Sequence, residues 1–164
     1  MRPLLKIITM ISATHLHAMA VHFPIALLII GFLAEVVSLF VQKQFFRQAA
    51  FYLLAAGTLG TIAAYLVGNA AGQGMEEGTL GKAIALHEQA ATITLWLTAF
   101  TAVVYIAVFF LKYNKSWVRI ASIILFASVV VAIARTGYLG GQLVYKHGAG
   151  VELALPDFTN PDEK

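Results

Sequence analysis

The chain contains no cysteine in its 164 residues. That absence excludes thiolate zinc sites, iron–sulfur clusters, disulfides and covalent c-type haem attachment through Cys-x-x-Cys-His. Metal chemistry, if any, falls to His, carboxylate or Met. Charge is also scarce: 12% of residues are Asp, Glu, Lys or Arg, while 60% are hydrophobic. A soluble domain carries about twice that charged fraction, so this chain has too little polar surface to cover a water-soluble globule. The net charge of +3 does not point to nucleic acid, because in an apolar chain the placement of basic residues matters more than their sum.

What the chain has instead is four apolar runs, at 23–41, 49–68, 90–111 and 118–139. Each is close to the roughly 20 residues that a helix needs to cross a bilayer. Short polar links join them, which predicts an all-α, integral membrane, up-down four-helix bundle forming one domain over 1–164. Lys43 and Arg47 lie in the first link and Lys112, Lys115 and Arg119 in the third, with no acidic residue in either. By the positive-inside rule those links are cytoplasmic, so both termini and the 69–86 loop face outward. That loop has the glycines of a turn and lacks the Lys-Ser/Thr ending of a nucleotide-binding loop.

The two ends of the chain are read as peripheral. Arg2 before a short apolar run, with Ala18-Met19-Ala20 beyond, has the look of a cleavable signal. Lys6 interrupts that run, however, and Leu4, Ile8 and Ile11 keep helical spacing. A short interfacial helix over 3–14 is therefore expected; cleavage after Ala20 would instead remove His15 and His17. The stretch 151–164, acidic and carrying Pro156 and Pro161, is expected to be an exposed tail.

All five histidines fall on the outward side. His15, His17 and His22 lie at the start of the first span, His87 ahead of the third and His147 beyond the fourth. In a four-helix bundle, the outer ends of separate helices meet around one space. Imidazole ligates haem iron axially without a charge of its own, so His17, His22, His87 and His147 are candidate ligands for one or two b-type haems. His17 and His22, five residues apart, would point about 140° apart on a regular helix and cannot both serve one iron. Pro24 disfavours helical geometry at Phe23, which places His22 at a break or cap.

Three other features bear on function. The second span is rich in small residues, Ala55, Ala56, Gly57, Gly60, Ala63, Ala64 and Gly68, which allow close helix packing or make room for a flat macrocycle. Arg135, about 6 Å inside the outer end of the fourth span, either snorkels to headgroups or pairs with a haem propionate. Glu35 lies roughly 20 Å deeper than His22, too far from Arg135 to be its partner. It is expected to be a protonated carboxyl facing the bundle or to serve proton or quinone chemistry.

Leu16-His17, Val21-His22-Phe23-Pro24-Ile25-Ala26 and the run from Gly140-Gly141-Gln142 to Lys146-His147-Gly148, with His87-Glu88, resemble the bacterial membrane family catalogued as domain of unknown function 2231. Members often carry Pro after the first of these histidines, where this chain has Ala18. The resemblance implies a b-type haem membrane domain of the bacterial inner membrane, associated in some members with c-type cytochrome modules, and haem ligation by His17, His22, His87 and His147.

The expected function is a membrane-bound b-type cytochrome relaying electrons near the outer, periplasmic face, more an electron-transfer protein or subunit than a stand-alone enzyme. Its expected contacts are the lipid bilayer, a c-type cytochrome or respiratory-complex subunit, and quinone. Two alternatives stand beside it. One is a non-haem copper or zinc site using the same imidazoles with Glu88; the other is a structural or assembly subunit of a respiratory complex. With a single haem, the Ala18 departure makes His17 the ligand expected to matter least.

Overall fold

A computed structural model of the chain describes residues 12–41, 43–75, 77–112 and 115–151. Five helices follow in order: α1 Ala13–Ala20, α2 His22–Phe40, α3 Gln44–Gly72, α4 Gly78–Phe110 and α5 Ser116–His147. Only Val21 separates α1 from α2, and its backbone is itself helical (φ −65°, ψ −25°). The Val21 N–H donates to the His17 carbonyl and the Ile25 N–H to that of Val21, so the two make one 28-residue apolar span. Pro24 leaves a single helical N–H out and produces no full break, because it sits in the first turn of α2. The expected 3–14 surface helix and the 151–164 tail fall almost wholly outside the described residues.

Four helical units, counting α1 and α2 together, are long and apolar enough to cross a membrane. Around the ring α2 packs on α3, α3 on α4, α4 on α5, and α5 back on α2, with α1 leaning against α3. This is the up-down bundle that the apolar pattern predicts. At 29, 33 and 32 residues, α3, α4 and α5 run about 44–50 Å, longer than the roughly 30 Å of hydrocarbon. The apolar runs therefore mark the membrane-spanning parts and miss the helical extensions. His87 lies inside α4 rather than ahead of it, and His147 is the last residue of α5 rather than beyond it. Most of the expected 69–86 loop is helix, leaving a tight connection from Gln73 to Glu77.

Local chemistry explains the ends. Ser12 caps α1, its Oγ accepting from the His15 N–H at 3.2 Å. α5 stops at Gly148, whose φ of +65° is left-handed, and the following Ala149 N–H closes on the Leu143 carbonyl, a C-terminal cap that glycine adopts without a Cβ penalty.

The interior is uneven along its length. Leu28, Leu54, Phe126 and Val129 are buried at the centre, joined by Ala102 and Ile133. Gly57 lets Leu28 in: a Cβ there would lie 2.8 Å from the leucine side chain. Thr58, Thr61, Thr94, Thr98 and Thr101 are buried too, each donating its hydroxyl to the carbonyl four residues earlier, which satisfies polar groups that lipid cannot. Outward, Phe40, Leu59, Trp96, Ile120 and Val131 are exposed. In water they would be a fault; against lipid tails they are the expected surface.

Candidate functional site

One end of the bundle gathers two imidazoles from different helices. His17 of α1 and His87 of α4 have ring centres 6.2 Å apart and planes crossed at 82°. Each ring is tied to a third helix. His17 Nδ1 lies 3.0 Å from the Ala64 carbonyl of α3, and His87 Nδ1 lies 3.1 Å from the Thr136 carbonyl of α5. A carbonyl only accepts, so both Nδ1 atoms carry the proton, and in a neutral ring Nε2 keeps its lone pair on the far side. That is the tautomer a metal-ligating histidine needs, with a backbone carbonyl as its outer partner.

Glycine makes these approaches possible. A Cβ at Gly68 would lie 2.8 Å from His17 Cε1 and 3.0 Å from its Nδ1, and one at Gly140 would lie 3.1 Å from His87 Cε1. Both rings thus lie against bare helix backbone. Around them the helices are fixed by hydroxyl bridges. Tyr65 of α3 meets Thr92 of α4 at 3.1 Å, and Thr94 of α4 meets Thr136 of α5 at 2.8 Å.

Toward the histidine end the central core thins, although Ile84 of α4 is still buried there. The central core closes with Ile133 on α5 and Leu97 on α4, short of the level of Thr136 and His87. Beyond it stand Gly68, Ala71 and Gly72 on α3, Gly81 and Ala85 on α4, and Gly137, Gly140 and Gly141 on α5. A cavity of about 230 Å³ opens between α3 and α4, lined by Asn69, Gln73, Ile84 and Glu88 with Gly72, Gly81 and Ala85.

The remaining candidates stand apart. His22 is exposed and its Nδ1 bonds back to the Ala18 carbonyl of its own helical run at 2.7 Å. His147 lies seven residues past Gly140, about 10 Å further out, while His22 lies about 7 Å from His17 in the opposite direction. These two are therefore not a second facing pair. Arg135 is exposed and projects about 140° from Gly140 around α5, away from the imidazoles. Among the described residues no three His, Asp or Glu side chains gather to hold a metal ion.

Residue patterning alone did not reveal the Ala64 and Thr136 carbonyls, because backbone partners leave no mark on residue type. Nor did it reveal that, of the candidate histidines, His17 and His87 are the two whose rings face each other. Nothing among curated proteins or solved structures matches the chain. A family model does match residues 13–153, nearly the whole described bundle, and the chain belongs to the family described as Predicted membrane protein (DUF2231).

Proposed function

We propose that the chain is a membrane-bound b-type cytochrome that holds one haem between His17 and His87 and exchanges electrons at its outward-facing end. The observation that carries this reading is the ring separation of 6.2 Å. A metal–nitrogen bond of about 2.0–2.1 Å, plus about 1.1 Å from ring nitrogen to ring centre on each side, sets two trans imidazoles about 6.3 Å apart. A tetrahedral angle would bring the centres to about 5.1 Å by the same lengths. A group that brings its remaining nitrogens with it would need only two protein ligands, which His17 and His87 would supply, and haem is such a group.

The residues present fit that group. Gly68 and Gly140 present bare backbone to the two rings, and both rings offer Nε2. Haem supplies reversible one-electron chemistry at its iron when bound. The protein holds the rings through Ala64 and Thr136, sets their tautomer and keeps the helices in register through Thr94–Thr136 and Tyr65–Thr92. The basic links support an orientation with the histidine end and both termini on the outward side of the bacterial inner membrane. A c-type cytochrome module is the partner class suggested by the family resemblance.

The test is the optical spectrum of protein purified from haem-replete cells. A Soret band with reducible α and β bands, about one haem per chain, and loss of pigment in His17→Ala and in His87→Ala are expected. Colourless parent protein would sink the proposal and leave a structural or assembly role for the bundle.

A further inference from the structure

The opposite end of the bundle carries chemistry that the histidine pair does not use. Glu35 lies eighteen residues from His17 along α1–α2, and Tyr105 eighteen residues from His87 along α4. Eighteen residues are five turns, so each pair shares a helix face about 27 Å apart. The faces that present two imidazoles at one end present a carboxyl and a phenol at the other.

Glu35 is 5% exposed. Ser38 of its own helix, Arg47 of α3, Tyr105 of α4 and Arg119 of α5 are the charged and polar groups around it, the two guanidinium groups and the phenol within electrostatic reach of its carboxyl. Arg119 is partly committed: one terminal nitrogen donates to the Ser38 carbonyl at 2.6 Å and meets the Ser38 hydroxyl at 3.2 Å, capping the C-terminal end of α2. Tyr105 donates to the Ser122 carbonyl at 3.3 Å. Two donors remain. Arg119 Nε and Ser122 Oγ are buried and meet no partner among the described residues, and Ser122 is only 6% exposed. They lie three residues apart on α5, hence side by side. Buried donors of this kind are costly unless an acceptor serves them, and the smallest acceptor that serves two at once beside a carboxyl is a water molecule.

We propose that this end holds a proton-binding site, in which the Glu35 carboxyl, linked by one ordered water to Arg119 Nε and Ser122 Oγ and faced by Tyr105, takes a proton from the adjacent aqueous phase and returns it. The proton adds to a carboxylate oxygen, leaving water from hydronium, and departs by the same route. Arg119 is the fourth residue of α5, so the path to solvent is about one helical turn. This site stands independently of haem at the other end.

The test is infrared pH-difference spectroscopy of the full chain in lipid. A carboxylic C=O band is expected on acidification, sensitive to deuterium exchange and lost in Glu35→Gln. Its midpoint is expected to move in Ser122→Ala and in Tyr105→Phe, which a fixed Arg–Glu cluster would not produce. A pH-difference spectrum identical in parent and Glu35→Gln overturns the proposal. Should Glu35→Gln fail to fold, an unmoved midpoint in both Ser122→Ala and Tyr105→Phe overturns it equally.

Discussion

Replacing Gly68 by Ala places a methyl carbon 2.8 Å from His17 Cε1 and 3.0 Å from Nδ1. Carbon atoms rest at about 3.5–4.0 Å, so the ring must retreat from α3 by roughly 0.7 Å or more. The Nδ1 contact to the Ala64 carbonyl, now 3.0 Å, then passes the range of a useful hydrogen bond. Losing it in a part-buried setting costs about 0.5–1.5 kcal/mol, which lowers pigment affinity roughly 2- to 13-fold. The change also gains up to about 1 kcal/mol of helix propensity, so a matched control is needed. Gly137 of α5 supplies it, since a Cβ there meets nothing within 4 Å. Haem titration followed at the Soret band should give parental affinity for Gly137→Ala, a smaller loss for Gly140→Ala, where the contact is 3.1 Å, and the largest loss for Gly68→Ala. If Gly68→Ala and Gly137→Ala titrate alike, the packing of the imidazole against bare backbone has no functional weight and the reasoning fails.

Single replacements of His22 or His147 by Ala should leave the pigment in place, whereas His87→Ala should lose it; equal loss from all of these variants would remove the special standing of the His17–His87 pair. Thr94→Val deletes the 2.8 Å hydroxyl bridge to Thr136 and should lower stability by about 0.6–1.7 kcal/mol, read as thermal unfolding in detergent; an unchanged transition would show the bridge to be incidental. Because the chain has no cysteine, introduced thiols report topology without background. Glu77→Cys should react with an impermeant reagent on intact cells and Ser116→Cys only after permeabilisation, and the reverse pattern would invert the orientation.

Apolar run length made the four spans legible, and the alternation of basic and mixed-charge links made their alternating direction so. Both are local properties, because lipid imposes the same demand on every residue of a span. The helical extensions were not legible in the same way. Residues 78–89 include Gly78, Gly81, Lys82 and Glu88, which hydropathy reads as a link. The helix continues through them because buried Gly81, Ile84 and Ala90 pack against neighbouring helices. The eighteen-residue spacings from His17 to Glu35 and from His87 to Tyr105 were present in the sequence, yet they signify nothing until the helices are known to face each other.

Sequence by itself determined that this is a membrane bundle with imidazoles collected toward one end and purely basic links at the other. Only the tertiary structure decided which imidazoles meet. Four histidines were candidates alike by residue type and by lying toward the same end of the spans. His17 and His87 were singled out by the faces on which their helices turn and by the backbone carbonyls of α3 and α5 that hold them. Depth follows from chain position, but facing follows from how four helices rotate and cross, and that depends on every side chain packed between them.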